Sequence, residues 1–487
     1  MVGPPGINVL TMMGVHQPQS ELFSYQVNLE KRIRADHPLR QVAALIDFSF
    51  VRAEVAEAYG HNGHVSVDPV ILLKLMFLLF WDDIPSEREL MSVIPERLDY
   101  LWFLGYGLDD QIPDHSVLSK ARKRWGKEAF EKFFIGTITQ CVQRGLVDGR
   151  KLHIDSSLIR ADASKDSVVR SCPELIAAFK KAYQAQESKL ADSTTPEAYE
   201  PINDRMVSTT DPDASITRKG SAPARPSYHH HRAVDDAQGV ITAVETTPGS
   251  IAENKKLIAL IDQHEANSQF KVNTAVADHK YGTAENYIAC QQREIRTHMG
   301  DVLGRQKKDA LGIFPDSAFK YRSAKDIYIC PAGKEMKPRR LSATRRTMEY
   351  YVPGRACADC TVRQQCTRSK TGRTIQRHEH HELLMRARSQ ADTTQGRKDR
   401  QRRQVLAEGS FADAANNHGF KRARWRRLWR QQIQDWLIAG IQNIRIMLKA
   451  TLKRTSGAVA LVLLRFEGLQ GLKTHPCHRL FARDALN

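Results

Sequence analysis

Two segments far apart in the chain run along strand-like residues straight into an aspartate. In KLHIDSSLIRADAS, Lys151 to Ser164, the run Leu152–Ile154 ends at Asp155; in NTAVADHKYGTAENY, Asn273–Ala277 ends at Asp278. One such acid need only start a turn, since Asp bonds its own backbone and tolerates strained dihedrals. Two constrain the fold further, because neighbouring strands lie about 4.8 Å apart and groups at their ends converge. Carboxylates that close repel unless a cation neutralises them, and hard Mg²⁺ suits such a pair together with waters and phosphate oxygens. A third acid lets two ions sit roughly 3.5–4 Å apart, one activating an attacking oxygen and the other stabilising a leaving one.

The surrounding pattern is that of a mixed α/β layer. Leu152–Asp155, Tyr228–Val234 and Val240–Thr246 read as strands, the last two joined by the hairpin-type turn DDAQG. A helix from about Glu253 to His264, the strand ending at Asp278 and a helix from about Thr283 to Arg293 follow. Between the first two strands, Ser164–Arg225 is rich in Asp, Ser, Thr and Pro and reads as an excursion over the sheet, with one helix expected at Pro173–Gln186. Before Gly145 the period is helical. Asp68-Pro69 starts a buried helix over the apolar run Val70–Trp81, and Ser86 with Glu89 has capping-box spacing. Asp114 opens a basic amphipathic helix bearing Lys120, Arg122, Lys123 and Arg124, which permits either a helix-turn-helix reading or a plain bundle with solvated cations.

Charge points to a polyanionic partner. Lys plus Arg number 73 against 55 Asp plus Glu, a net +18, and Arg386–Arg430 alone holds 13 cations and four acids. Clustered cations are rewarded on a phosphate backbone by counterion release. The 12-residue run Val70–Trp81, broken by Lys74, falls short of the ~20 residues that cross a bilayer. The N-terminus lacks a basic segment followed by an apolar one, so a cytoplasmic, nucleoid-associated protein is expected.

Two further sets of residues carry chemistry. In RRQVLAEGSFADAANNHGFKRARWRRLWRQQIQDW, Glu408 lies in a helical stretch whose neighbours Val405, Phe411, Ala412 and Ala415 are spaced to form one apolar face, so an acid beside it can be aimed at the strand ends. Downstream of Asp278, Cys330, Cys357, Cys360 and Cys366 give C-x26-C-x2-C-x5-C, half of the chain's eight cysteines. Four thiolates suit a tetrahedral structural Zn²⁺, with an unligated or iron-binding cluster as the alternative. Cys141, Cys172, Cys290 and Cys477 are scattered and read as ordinary thiols. His229–His231 and His378, His380 and His381 lack the spacing that puts two ligands on one helical face. Trp425, Trp429, Ile433, Trp436 and Leu437 recur at helical spacing and read as core.

These pieces, in this order, resemble the DDE transposases of bacterial insertion sequences, and among them the insertion-sequence 1182 group within the wider insertion-sequence 4 and 5 superfamily. The resemblance spans roughly residues 20–450 and rests on SVDPVILLKLMFLL, SERELM, IPDHSVLSKARKRW, HIDSSLIRADAS, TDPDAS, YHHHRAVDDAQGVITAVETTPGSIAEN, VADHKYGTAENY and EGSFADAANNHGFKRARWR. It implies a ribonuclease H-like fold in which Asp155, Asp278 and Glu408 are the catalytic, metal-holding triad, and a cysteine cluster similar to the one here. The wider superfamily often shows Tyr, two residues, Arg, three residues, Glu, six residues, Lys around the third acid. Here those places are held by Gln401, Gln404, Glu408 and Ala415, so Arg402, Arg403 or Lys421 must supply the donors. Glu253, Glu285 and Asp413 are rival acids.

The expected architecture is therefore α/β, a ribonuclease H-like mixed sheet with an N-terminal all-helical domain and an inserted cysteine-rich, zinc-ribbon-like module. Its expected parts are a leader (1–25), helical DNA-binding domain (26–148), first part of the core (149–300, with the excursion at 164–225), inserted module (301–395), final core helices (396–450) and tail (451–487). The expected function is cleavage and strand transfer at the inverted-repeat ends of an insertion sequence, by two Mg²⁺ or Mn²⁺ ions, in a homodimer on double-stranded DNA. Lys120, Arg122, Lys123, Arg124, Arg402, Arg403, Lys421, Arg422, Arg424, Arg426 and Arg427 are the expected DNA contacts. A catalytically inactive DNA binder and a nuclease that cuts without joining are the alternatives.

Overall fold

The computed structural model describes residues 27–59, 66–170, 174, 177–178, 181–182, 206–218, 220–300, 312–352 and 356–469; beyond 451 it gives the backbone course alone. The expected leader, Cys172, Cys477 and most of the helix expected at Pro173–Gln186 lie outside the described residues.

The apolar run near the N-terminus forms the helix Pro69–Trp81, with nine of its side chains buried. Asp68 starts it by accepting the Val70 N–H at 2.9 Å. Lys74 is tolerated there because its ammonium donates to the Phe103 carbonyl at 2.7 Å, and burial lowers its pKa. Ser86 caps the helix Glu87–Val93 through the Glu89 N–H. The basic helix Ser116–Trp125 stops at Gly126, whose φ of +69° favours glycine, and Glu128–Gln143 follows. These helices are not a separate layer with a core of their own. A single apolar cluster runs from Val42 and Phe77 through Phe133 and Ile138 to Ile433, Leu437 and Ile441 of the last helix, Leu428–Leu469, and on to Ile159 and Val234 of the sheet.

The first eight strands are β1 (Lys151–Arg160), β2 (Val168–Arg170), β3 (Met206–Ser208), β4 (Ser215–Thr217), β5 (Arg225–Asp235), β6 (Ile241–Pro248), β7 (Thr274–Ala277) and β8 (Arg296–Met299). β2 and β3 form a small ribbon of their own. The main sheet runs β6-β5-β1-β7-β8, with β4 on the same edge of β5 as β6. β6, β5 and β1 are antiparallel, as the DDAQG turn dictates, while β7 and β8 lie parallel to β1. Side chains alternate across β1. Leu152 and Ile154 face a cluster with Leu257, Leu260, Tyr287 and Leu384 from helices Leu257–Ser268, Ala284–Gln292 and His381–Ala391. His153, Asp155 and Ser157 face the opposite way.

A second sheet holds β9 (Lys320–Arg322), β10 (Ile327–Ile329), β11 (Glu335–Ser342), β12 (Thr347–Tyr351) and β13 (Thr374–His378), in the order β13-β12-β11-β10-β9. Its buried centre is small: Phe319, Tyr328, Met336, Tyr350 and Ile375.

Candidate active site

The parallel pairing of β1 with β7 sets Lys151 opposite Thr274, Leu152 opposite Ala275 and His153 opposite Val276. Continued by two residues, the same register brings Asp155 level with Asp278. The Asp155 carboxylate accepts the Ser156 N–H at 2.8 Å, and Asp278 accepts the Lys280 N–H at 2.6 Å, starting the short turn His279–Tyr281. Burial raises the pKa of Asp155; the guanidinium of Arg403 opposes this, and the carboxylates of Asp278 and Glu408 add to it. Asp278 and Glu408 therefore both lie close enough to act on the Asp155 carboxylate.

Glu408 reaches that space through an irregular helix. Residues Thr394–Arg403 and Gly409–Asn417 are α-helical, and Gln404–Glu408 between them form a π-helical turn. A π turn bonds each residue to the fifth one on, so it carries one residue more than an α turn and rotates everything beyond it. The sequence expectation of one face made by Val405, Phe411, Ala412 and Ala415 is not met, because the buried face runs through Ala407, Phe411 and Ala414 at ordinary helical spacing. Val405 is 74% exposed and Ala412 is exposed, while Leu406, Ala407, Phe411 and Ala414 turn inwards. The same turn sets Arg403 and Glu408, five residues apart, side by side. Arg403 Nη1 donates to Asp155 at 2.8 Å and Nη2 to Glu408 at 2.9 Å, so one guanidinium joins the first and third acids. Gln404, at the place where an α-helix would need its arginine, is exposed. Of the three donors expected to stand in, Arg403 is the one that touches the acids.

Charged contacts mount this helix on the sheet. Asp399, 2% exposed, accepts from Lys151 Nζ of β1 at 3.0 Å and from the His298 ring of β8 at 2.7 Å. Arg402 donates to Asp236 at 2.6 Å, and His153, two residues before Asp155, contacts the same carboxylate at 2.7 Å. These partners come from three separate parts of the chain. Arg232, paired with Asp155 across β5, is fully buried 4.1 Å from the Phe411 ring and donates to His230, Ser410 and Gln442. Sequence reasoning missed it, although its place in YHHHRAVDD beside a strand-end acid is legible once the hairpin is paired.

Of the rival acids, Glu253 stands beside the two aspartates, bonded to the residues that follow them, and Asp413 and Glu285 lie on other elements. Glu253 accepts from Ser156 Oγ at 2.6 Å and pairs with Lys280 at 2.7 Å. Asp413 accepts from Gln442 and Asn417. Glu285 stands in the first turn of Ala284–Gln292, near His378.

Several expected DNA contacts have internal partners instead. Arg122 is 2% exposed, paired with Glu87 and stacked 3.9 Å from the Trp425 ring. Arg427, also 2% exposed, pairs with Asp213 at 3.0 Å; Arg424 pairs with Asp83 at 2.5 Å and donates to the Leu79 carbonyl. These three brace the N-terminal helices and the excursion against the segment after Glu408, so they do not form a cationic surface. Arg422 and Arg426 are exposed and share Asp162, Arg124 lies over the Tyr59 ring, and Lys120 is exposed. Lys123 is half-buried, and Lys421 donates to Ser157 at 2.7 Å, on the face of β1 that carries Asp155.

In the inserted module Cys330, Cys357, Cys360 and Cys366 line one cavity of about 20 Å³. Burial, then the neighbouring Cys330, Cys357 and Cys360 sulfurs, push the Cys366 thiol up, against the pull of Arg373. Cys141 and Cys290 are buried thiols in the two large clusters, as expected. Among the described residues no three His, Cys, Asp or Glu side chains stand ready to hold a metal ion, either here or at the acids.

The family described as "Transposase domain (DUF772)" matches residues 27–124, and that described as "Transposase DDE domain" matches residues 329–448. No curated protein matches. Among solved structures, a piggyBac transposase synaptic complex with hairpin DNA is similar at 10% identity and a TM-score of 0.26, over 85% of this chain and 80% of that one. A Mos1 transposase paired-end complex with the left transposon end is similar at 11% identity and a TM-score of 0.16, over 51% of this chain and 64% of that one. A pre-cleavage Mos1 transpososome gives 10% identity and a TM-score of 0.16, over 54% and 78%.

Proposed function

The chain is a DDE transposase, and on that premise we propose that it cuts and joins the inverted-repeat ends of an insertion sequence of the 1182 group through Asp155, Asp278 and Glu408. The observation that carries this reading is the meeting of the three acids: two on adjacent parallel strands in register, the third brought to Asp155 by Arg403. The order β6-β5-β1-β7-β8, antiparallel then parallel, supports a ribonuclease H-like core.

The donor set is hard and anionic, which fits Mg²⁺ or Mn²⁺. When bound between the acids, two such ions would activate an attacking oxygen and stabilise the leaving one at phosphorus. The residues of the chain do the rest. Asp155 and Asp278 are fixed by strand register and by the backbone N–H groups they accept. Glu408, with half of its side chain exposed, is held toward Asp155 by Arg403 from the Gln404–Glu408 helix turn. Arg403, a planar fork at 2.8 and 2.9 Å from two of the acids, would supply donors to phosphate oxygens at the reacting centre. Lys280, 59% exposed and paired to Glu253, places a second cation near Asp278.

Hydrolysis at the element end and attack of the resulting 3′-hydroxyl on target DNA are both in-line displacements, so one site serves both. Bringing two ends together calls for two copies of the chain. The exposed cations Lys120, Arg124, Arg422 and Arg426 are the surface contacts we assign to DNA. The four cysteine sulfurs around one small cavity support a structural Zn²⁺ in the inserted module, whose own apolar centre is only five buried side chains.

The test is incubation of the full chain with a labelled duplex bearing the element end, beside a scrambled duplex, in Mg²⁺ or Mn²⁺. Nicking at the end followed by joined products supports the reading. Binding without any metal-dependent nicking overturns it.

A further inference from the structure

The second sheet has a charged edge that neither the acids nor the cysteines use. Residues 337–346, KPRRLSATRR, hold five cations, Lys337, Arg339, Arg340, Arg345 and Arg346, and no acid. β10 pairs with β11 at Met336 and Glu335, so among the described residues Lys337–Ser342 is paired on one side alone, with β12. Lys337, Arg339, Arg340, Arg345 and Arg346 are all exposed. A free edge is ordinarily blunted by a proline, a bulge or a charge, and Pro338 and the irregularity between Pro338 and Arg340 already do that. Five like charges go further than blunting requires. Arg339 lies over the Tyr351 ring and Arg346 pairs with Glu379, whereas Lys337, Arg340 and Arg345 have no ionic partner among the described residues.

The edge also stands in a telling place. Thr347 pairs with His378 and Arg346 with Glu379, so the turn end of the ribbon lies against the junction with the helix His381–Ala391. His378 in turn lies within electrostatic reach of Glu285, in the first turn of the helix that begins six residues after Asp278. A run of neighbours thus leads from the helix after Asp278, through Glu285 and His378, to Arg346 at the turn end of the ribbon.

We infer that the ribbon edge Lys337–Arg346 docks on the phosphate backbone of duplex DNA leading into the acid site, as a clamp that does not read sequence. The inference rests on the transposase reading for its choice of partner. Arginines on an exposed edge strand meet phosphates before base edges.

The experiment measures equilibrium binding of the full chain to an element-end duplex and to a random duplex over a range of salt, with the metal left out so that nothing is cut. The variant Lys337→Ala/Arg340→Ala/Arg345→Ala should weaken both by a similar factor and reduce the slope of log K against log salt by about 2–3, near 0.9 for each phosphate no longer neutralised. The charge-keeping variant Arg340→Lys/Arg345→Lys should retain the wild-type slope, which separates removal of charge from a failure to fold. An unchanged slope in the triple variant overturns the inference, even in a chain that cuts normally. A reduced slope in a chain that never cuts upholds the ribbon and sinks the catalytic reading.

Discussion

Arg403 joins Asp155 and Glu408, at 2.8 and 2.9 Å, through a single guanidinium. It takes one oxygen of each carboxylate, so a divalent ion shared by the two acids would compete with the guanidinium for those oxygens. Arg403→Ala should therefore bind Mn²⁺ more tightly, by roughly tenfold or about 1.4 kcal/mol, while turning over more slowly for want of a phosphate donor. Mn²⁺ titration followed by electron paramagnetic resonance checks the first half. Weaker Mn²⁺ binding in the variant would show that Arg403 organises the acids and does not compete for them.

The π turn predicts an unusual tolerance. Deleting Val405, an exposed residue of that turn, should convert it to an α turn with Arg403 four residues before the glutamate and still on its face. The deletion variant should keep its metal-dependent cutting, whereas an insertion at the same point should abolish it. Loss of cutting in both would contradict the register argument.

Asp399 holds the helix of Glu408 to two strands through Lys151 and His298. Asp399→Ala leaves both partners without their carboxylate and should lower stability by about 2–3 kcal/mol, seen as a lower urea midpoint. Activity should fall with it, and Asp399→Asn should recover part of both.

In the excursion, burial pushes Asp211 up to about 7, while the Tyr228 hydroxyl and the Arg427 N–H donate to it. The unfolded chain releases that proton near the ordinary Asp value of about 3.9, so between about 4 and 7 the folded state binds more protons. This group's contribution to stability is therefore present below pH 4, lost progressively as pH rises to 7, and flat above. Asp211→Asn removes the term, and the difference in unfolding free energy between variant and wild type should grow across that window. A difference independent of pH would contradict it.

For the inserted module, purified chain should carry close to one zinc per copy by mass spectrometry, and Cys357→Ser should lose it. Equal zinc in both would remove the four-cysteine assignment.

How much of this was legible beforehand follows from the range of the forces involved. Asp155 and Asp278 could be read because strand alternation and strand ends are local, and the hairpin between β5 and β6 was written in DDAQG. Glu408 was legible as an acid on a helix, yet its neighbours were not, since a helical period of 3.6 cannot reveal an extra residue in one turn. Arg122, Arg424 and Arg427 counted as surface charge in the sequence because their partners Glu87, Asp83 and Asp213 lie far along the chain. β8, β9 and β10 carry only three or four residues, and the eight of β11 bury Met336 alone, so no apolar alternation registers and the ribbon edge stayed hidden among ordinary cations. The four cysteines stand out in the sequence by spacing alone, and they line one cavity.

The central claim is that Asp155, Asp278 and Glu408 form one catalytic site, and the most direct test compares Asp155→Asn, Asp278→Asn and Glu408→Gln with Glu253→Gln and Glu285→Gln. Each is assayed for binding, nicking and joining of an element-end duplex in Mg²⁺ and Mn²⁺. The account predicts that the first three bind but neither nick nor join, while Glu285→Gln does both and Glu253→Gln keeps measurable cutting. Normal cutting by Glu408→Gln together with a dead Glu253→Gln or Glu285→Gln would contradict it and move the third acid to that position.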